Sequence, residues 1–256
     1  MSSNGVPGTM ERILRLMADK KASDVYLSAN SPALIKINGQ VVPINSQVLP
    51  FDAPRALLAE MLSAEQLQEL DDTHELNLGI TLPGVGRYRL SAMRQRGTVA
   101  AVFRYVPNDI PELSSLAVPP ILGDLIMEKR GLILIVGATG SGKSTTIASM
   151  LDHRNANRSG HILTVEDPIE FLFKHKKSIV NQREIGMDTV DWAAALKNAM
   201  RQAPDCILIG EIRDKETMQA AIAYAQTGHL CLATLHANNS YHALNRIISF
   251  FPLENR

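Results

Sequence analysis

The sequence predicts an α/β protein in two parts: a small α+β domain, then a domain built on a mainly parallel, doubly wound sheet. Three observations predict this division. Short strands of alternating polarity fill much of residues 34–105, strongly apolar strands alternate with helices after residue 121, and four prolines lie in residues 107–120. Alternation of strands and helices favours a parallel sheet with crossover helices. Because prolines interrupt regular structure, residues 107–120 are predicted to be a linker.

The composition is that of an ordinary globular protein. Of 256 residues, 45% are hydrophobic and 20% charged, and 26 basic side chains balance 26 acidic ones. This balance gives no reason to expect nucleic acid or a charged membrane surface as a partner. The longest apolar runs are too short to span a bilayer, and no signal-peptide pattern is present. Two cysteines are too few for a zinc site or a disulfide scaffold, so a cytoplasmic protein with buried, reduced thiols is predicted.

The first domain is predicted over residues 10–106, after a stretch (residues 1–9) that is interpreted as a tag or a disordered terminus. Helical spacing predicts two helical segments, and alternation predicts a hairpin and three further strands. In chain order these elements cover residues 10–21, 34–44, 52–70, 75–80, 87–94 and 99–105. Asn38-Gly39 is a strong signal for the hairpin turn. Ser63 and Gln66 have the spacing of a capping box that restarts the second helical segment.

The second domain is predicted over residues 121–256. Apolar runs predict strands at residues 132–136, 161–165, 206–209 and 230–235. Helical spacing predicts helices at residues 121–128, 143–153, 188–202, 218–226 and 241–248, the third of them capped by Asp188 or Thr189. The chain ends soon after the last of these helices, which suggests a truncated form of a longer protein.

A glycine-rich loop follows the first apolar strand of this domain and leads directly into a helix. Such a loop turns successive backbone N–H groups towards an anion, and the helix N-terminus adds a positive dipole. The predicted nucleotide-binding residues are Gly137, Ala138, Thr139, Gly140, Ser141, Gly142, Lys143, Ser144 and Thr145. Lys143 supplies a charge for the phosphates, and the Ser144 hydroxyl is predicted to hold Mg²⁺. The sequence therefore predicts a P-loop that binds ATP with Mg²⁺.

Acidic residues follow two later strands of the same sheet. Glu166 ends the strand 161–165, and Glu211 comes after the strand 206–209. Carboxylates at the carboxyl ends of strands beside a P-loop strand commonly bind Mg²⁺ and orient the attacking water. Glu211 is predicted to be the general base and, partly through water, a magnesium ligand, although Gly210 stands where an aspartate is common. For Asp167 and Glu170 a polar turn is the alternative interpretation.

Histidines and arginines give weaker signals. His229 and His236 flank the strand 230–235, and a metal shared between them is disfavoured because seven residues of strand separate them by about 20 Å. His236 either senses the γ-phosphate or is structural. Four arginines lie in or near the last two strands of the first domain, and their spacing alone indicates ordinary surface charge. They are Arg87, Arg89, Arg94 and Arg104.

Four motifs carry a resemblance to a known family. In order they are GATGSGKS, ILTVEDPIEF, CILIGEIRD and TGHLCLATLHANN. Together they resemble the Walker A, Asp box, Walker B and His box of the secretion ATPase superfamily (GspE/PilT type), which drives type II secretion and type IV pili. The segment SDVYLS resembles the retraction motors of twitching motility, and the His box with NRIISFFP is most similar to the PilU-type paralogues. The resemblance implies a PAS-like first domain and a RecA-like second domain.

The resemblance also implies roles and partners. In family members, two arginines that are fifteen residues apart reach the γ-phosphate, and Arg89 and Arg104 have this spacing. The resemblance also implies that Arg246 contacts a neighbouring subunit. Glu166, His229 and His236 would lie near the γ-phosphate and support its hydrolysis. Family motors are hexameric rings at the cytoplasmic face of the inner membrane. A paralogous retraction ATPase and the inner-membrane pilus platform protein are the expected partners, and nucleic acid is not.

Two alternatives stay open. The chain could be an assembly or type II secretion ATPase of the same superfamily. It could also be a nucleotide-binding accessory subunit that depends on a partner motor for turnover.

Overall fold

A computed structural model describes residues 8–106 and 109–252 of the chain. The chain divides into two compact units, Met1–Asn108 and Asp109–Arg256, each with its own sheet and its own hydrophobic core. Residues 1–7 of the predicted tag and residues 107–108 of the predicted linker lie outside the described residues.

The N-terminal unit is an antiparallel sheet with three helices on its apolar face. Its strands are β1 Asp24–Ser28, β2 Pro32–Ile37, β3 Gln40–Val48, β4 Glu75–Leu82, β5 Gly86–Gln95 and β6 Thr98–Val106. The order in the sheet is β3-β2-β1-β6-β5-β4. The helices are α1 Thr9–Asp19, α2 Ala53–Ala59 and α3 Ala64–Thr73. Alternation along the strands sends one face of the sheet into a core with these helices.

Two local predictions for this unit are confirmed in detail. The β2–β3 turn has positive φ at both Asn38 (50°) and Gly39 (82°), as a two-residue hairpin turn requires. In the capping box, the Ser63 hydroxyl accepts the Gln66 backbone N–H at 3.2 Å, and the Gln66 side chain accepts the Ser63 backbone N–H at 3.0 Å. The chain therefore breaks into two helices where the sequence predicts it.

The C-terminal unit is a parallel sheet flanked by helices. Its strands are β7 Gly131–Val136, β8 Gly160–Glu166, β9 Ser178–Glu184, β10 Cys206–Ile209 and β11 Leu230–Leu235, in the order β7-β11-β10-β8-β9. Its helices are α4 Ile121–Leu125, α5 Lys143–Asn157, α6 Trp192–Ala199, α7 Lys215–Gln226 and α8 Ser240–Ser249. All four strand pairs are parallel, so the carboxyl ends of the strands meet at one edge. No helix in the described ranges has the length and apolar character needed to cross a membrane.

One strand of this unit is missing from the predictions, and one helix prediction is wrong. Strand β9 is the missing element, because its inward positions carry the polar residues Gln182 and Glu184 and so break the apolar alternation. The segment predicted as one helix at 188–202 contains the shorter helix α6 and then a 3-10 turn at Met200–Gln202. Asp191 caps α6 by accepting the Ala194 N–H at 2.7 Å. Asp188 instead accepts the Glu184 N–H at 2.8 Å and closes the turn after β9.

Candidate nucleotide-binding and catalytic site

A cavity of about 260 Å³ lies at the carboxyl edge of the parallel sheet. The P-loop, the segment after β8 and the ends of β10 and β11 line it. The predicted site residues among its lining are Thr139, Gly140, Lys143, Ser144, Glu166, Glu211 and His236. Four separate stretches of sequence thus meet at one place because their strands are parallel and adjacent.

The P-loop has the geometry of an anion-binding loop. Gly140 (φ 76°) and Gly142 (φ 90°) adopt the left-handed conformation that favours glycine, and α5 begins immediately afterwards at Lys143. The Lys143 ammonium donates to the carbonyl oxygens of Gly137 at 3.0 Å and Ala138 at 2.8 Å, which holds it over the loop. The first N–H groups of a helix lack partners within the helix, so the loop and the start of α5 present positive potential to the cavity. These features fit the phosphates of a nucleotide.

Glu166 is a buried carboxyl at the end of β8. The residue is 8% exposed, and its Oε1 accepts hydrogen bonds from Thr164 Oγ1 at 2.6 Å and Gln182 Nε2 at 3.2 Å. Burial raises the pKa of Glu166 to about 7, although these hydrogen bonds favour the ionised form and act in the opposite direction. A carboxyl that titrates near neutrality can take up or release a proton at the pH of the cell.

Glu211 lies in a network of charged side chains. Its Oε2 accepts from Arg213 Nε at 2.9 Å, and its Oε1 lies 3.2 Å from His236 Nε2. Arg213 also reaches Asp167 with its Nη1 at 3.3 Å, and these carboxylates raise the pKa of its guanidinium. Arg213 therefore connects the ends of β10 and β8, while His236 brings in the end of β11. The carboxylate of Glu211 is held in one orientation by groups on both sides.

Gly210, which stands where an aspartate is common, lies close to the backbone of β8. A Cβ at this position would lie 3.1 Å from the Glu166 Cα and 3.2 Å from the Val165 carbonyl oxygen. These distances are shorter than ordinary van der Waals contact, so a side chain at this position would require the backbone of β8 to shift by a few tenths of an ångström. Glu166 and Glu211 line the same cavity beside this close approach.

Other predicted residues lie elsewhere in the C-terminal unit. Gly137, Ala138 and Arg246 line a neighbouring cavity together with His236. His229 lies at the amino end of β11, where its carbonyl oxygen accepts the Gly131 N–H and its Nδ1 is 3.1 Å from Thr227 Oγ1. That position is one strand length from the P-loop, so the structure does not bring His229 to the cavity of its own chain.

Arg89 and Arg104 lie in the N-terminal unit, directly opposite each other on β5 and β6. Like charges in this register repel, and a nearby carboxylate reduces the cost. Arg104 Nε donates to Asp24 Oδ1 at 2.8 Å, and Asp24 is buried on β1 in register with Arg104. Two arginines and one buried carboxylate thus share a face of the antiparallel sheet.

Sequence reasoning missed three residues that shape the site: Thr164, Gln182 and Arg213. Arg213 stands two residues after Glu211, and this spacing was the available signal. Gln182 could not be found without the pairing of β8 with β9.

Comparisons with known proteins agree on one family. The family model of "Type II/IV secretion system protein" matches residues 9–251. The chain is 48% identical over 244 residues to the type IV pilus ATPase PilU of Pseudomonas aeruginosa, and 39% identical over 244 residues to the retraction ATPase PilT of the same organism. Each alignment covers 95% of this chain. The chain spans 64% of the length of that PilU and 71% of that PilT.

Solved structures confirm the predicted fold class. A crystal structure of the pilus retraction motor PilT with bound ADP has a TM-score of 0.91 at 43% identity, covering 97% of this chain and 72% of that one. The Legionella pneumophila ATPase DotB has a TM-score of 0.82 at 28% identity, covering 99% and 73% of the two chains. The predicted family and the greater similarity to PilU than to PilT are confirmed as well.

Proposed function

This chain belongs to the family of type II/IV secretion system proteins, and from that premise we propose that it is an ATP-hydrolysing motor that powers or assists type IV pilus retraction. One observation carries the proposal: the P-loop, Glu166 and Glu211 line a single cavity. Three similarities support it, since the relatives are a type IV pilus ATPase and a retraction ATPase, and the PilT structure holds ADP.

In this proposal the P-loop residues bind the phosphates of ATP. Lys143 moves its ammonium from the loop carbonyls to the β- and γ-phosphate oxygens, and the loop amides contact the remaining oxygens. The Ser144 hydroxyl, the phosphates and waters would hold Mg²⁺, with Glu211 contributing partly through water. Mg²⁺ supplies neutralisation of the charge on the reacting phosphate.

Hydrolysis then needs a positioned water and compensation for the developing charge. Glu211 orients and polarises the water and accepts its proton as the water oxygen bonds to the γ-phosphorus, while the bond from that phosphorus to the β–γ bridging oxygen breaks and ADP leaves with that oxygen. His236 and Arg213 hold the Glu211 carboxylate in place. Glu166 supports this end of the site as a second proton acceptor, because its pKa of about 7 suits proton exchange near neutral pH.

The finer features of the motor are part of the same proposal. Arg89 and Arg104 stabilise the charge that develops on the γ-phosphate, and Arg246 contacts a neighbouring subunit. The chain works in a hexameric ring at the cytoplasmic face of the inner membrane, with a pilus platform protein and a paralogous retraction ATPase as partners. Changes in the angle between the two domains, driven by nucleotide, transmit force.

A cellular experiment tests the biological role. A strain that lacks the gene is expected to keep its surface pili and lose twitching, because retraction fails while assembly continues. Loss of the pili themselves would contradict retraction and indicate an assembly motor. Turnover measured with and without a paralogous pilus ATPase separates a motor from an accessory subunit: hydrolysis by this chain alone supports the motor, and hydrolysis only with the partner supports the accessory subunit.

A further inference from the structure

The side chain of Gln182 on β9 uses every kind of hydrogen-bonding group that an amide offers. Its Nε2 donates to the Phe171 carbonyl oxygen at 2.8 Å and to Glu166 Oε1 at 3.2 Å. Its Oε1 accepts the backbone N–H of Phe173 at 2.9 Å. A flipped amide would set donor against donor and acceptor against acceptor, so these partners define its orientation.

The parallel pairing of β8 with β9 explains how Gln182 reaches Glu166. Thr164 and Gln182 are register partners, and Glu166 is two residues further along the same side of β8. The Thr164 hydroxyl and the Gln182 amide both donate to Oε1 of Glu166. Two donors on one oxygen fix the rotation of the carboxylate, which would otherwise be poorly constrained about its last torsion.

The same amide also holds part of the cavity wall. Phe171 and Phe173 lie in the segment after β8, and both line the cavity with Glu166. Their backbone groups meet the two ends of the Gln182 amide. One side chain therefore connects a carboxylate of the reacting end with the wall beside it.

We propose that Gln182 is a positioning residue that acts through Glu166, holding its carboxylate and the Phe171–Phe173 wall as one rigid unit during ATP hydrolysis. This inference rests on the proposed function, because it takes Glu166 as part of the hydrolytic site. The competing interpretation is that Gln182 only ties the loop to the sheet.

Two variants and one control separate these interpretations. Gln182→Met keeps the length and much of the volume of the side chain and removes all three hydrogen bonds. Gln182→Glu keeps an acceptor for the Phe173 N–H and removes the donor to Glu166. Asn181→Ala is the matched control, because Asn181 is the preceding residue of β9 and its amide contacts His161 Nε2 at 3.0 Å instead of the cavity.

A double-mutant cycle on kcat for ATP is the first test. We expect Gln182→Met and Gln182→Glu each to lower kcat by about 10-fold or more in the wild-type background. In the Glu166→Gln background Gln182→Met is expected to lower kcat severalfold less than in the wild-type background, because the carboxylate through which it acts is gone and only its bonds to Phe171 and Phe173 are lost. An equal loss of kcat in both backgrounds would overturn the proposal. Asn181→Ala should keep the wild-type kcat.

Titration of the Glu166 carboxyl is a second test that needs no turnover. Isotope-edited infrared spectra of the whole chain, with the Glu166→Gln spectrum subtracted, report its ionisation. Gln182→Met is expected to raise the pKa of Glu166, since it removes a hydrogen bond that favours the ionised form. An unchanged pKa would overturn the positioning role. If wild-type chain gave no ATP turnover, alone or with a partner ATPase, the proposed function would fail, while this titration would still test whether the Gln182 amide bonds to the Glu166 carboxylate.

Discussion

The buried carboxyl of Glu166 makes the stability of the C-terminal unit depend on pH, and Glu166→Gln should remove that dependence. Below pH 4.5 the carboxyl is protonated in both the folded and the unfolded chain. As the pH rises from 4.5 to about 7, the unfolded chain ionises first while the folded chain keeps its proton. The folded state then binds more protons than the unfolded state, so the free energy of unfolding falls across this window.

The size of the effect follows from the displacement of the pKa. A rise from 4.5 to about 7 corresponds to roughly 3 kcal/mol, at about 1.4 kcal/mol for each pH unit. Because Glu166 is only 8% exposed, solvent screening reduces this little. The amide introduced by Glu166→Gln cannot ionise, and its NH₂ group would face the Glu170 backbone N–H that the carboxylate accepts. That clash adds a cost that is the same at every pH.

Urea unfolding followed by tryptophan fluorescence measures this directly. Trp192 is the single tryptophan of the chain and begins α6, so its emission reports on the unit that contains Glu166. The free energy of unfolding of Glu166→Gln minus that of wild type should increase by roughly 3 kcal/mol when the pH is raised from 4.5 to 8. The exposed Glu216→Gln variant on α7 is the control and should follow wild type. A difference between wild type and Glu166→Gln that stays constant with pH would refute the reasoning.

Three further substitutions test other parts of the structure. Gly210→Ala should lower the free energy of unfolding by about 1–3 kcal/mol in the same fluorescence assay and reduce turnover, because its Cβ would lie 3.1 Å from a backbone atom of β8; Gly123→Ala, where a Cβ meets only a side chain at 4.0 Å, should do neither. Asp24→Ala should lower the free energy of unfolding of the N-terminal unit by about 1 kcal/mol or less in a hydrogen-exchange measurement, because Arg104 is 59% exposed and water can hydrate its guanidinium once Asp24 is gone; a loss of about 3 kcal/mol would contradict this. Arg213→Gln should change the free energy of unfolding by less than about 1 kcal/mol, because Arg213 is half exposed. It should lower kcat by about 10-fold, because Glu211 loses a hydrogen bond that orients its carboxylate. An unchanged kcat would show that Arg213 does not contribute to hydrolysis.

Local patterns made much of the fold and the site predictable. The P-loop is readable because a strand, a glycine-rich turn and a helix follow one another without interruption. Glu166, Glu211 and His236 were predicted at the ends of apolar strands, and parallel pairing brings such ends together. The turn at Asn38-Gly39 and the cap at Ser63 depend on neighbouring residues alone, and both are found as predicted.

The remainder depends on contacts between distant parts of the chain. Strand β9 carries polar side chains inward, and among them Gln182 donates hydrogen bonds to Glu166 and to the loop after β8. The polar residues at its buried positions therefore hide the alternation of apolar and polar residues that identifies a strand. The high pKa of Glu166 arises from burial that only the folded sheet creates. The close approach of β8 to Gly210 joins two segments that lie well apart in the chain, and no local pattern indicates it.

The central claim is that this chain hydrolyses ATP at the cavity of its parallel sheet with Glu211 acting on the water. The most direct measurement compares nucleotide affinity and phosphate release for wild type and Glu211→Ala. We predict that the variant binds ATP about as tightly as wild type, because Lys143 and the P-loop are intact, and that its turnover falls by about 10²–10⁴-fold. Phosphate release by Glu211→Ala at the wild-type rate would contradict the account.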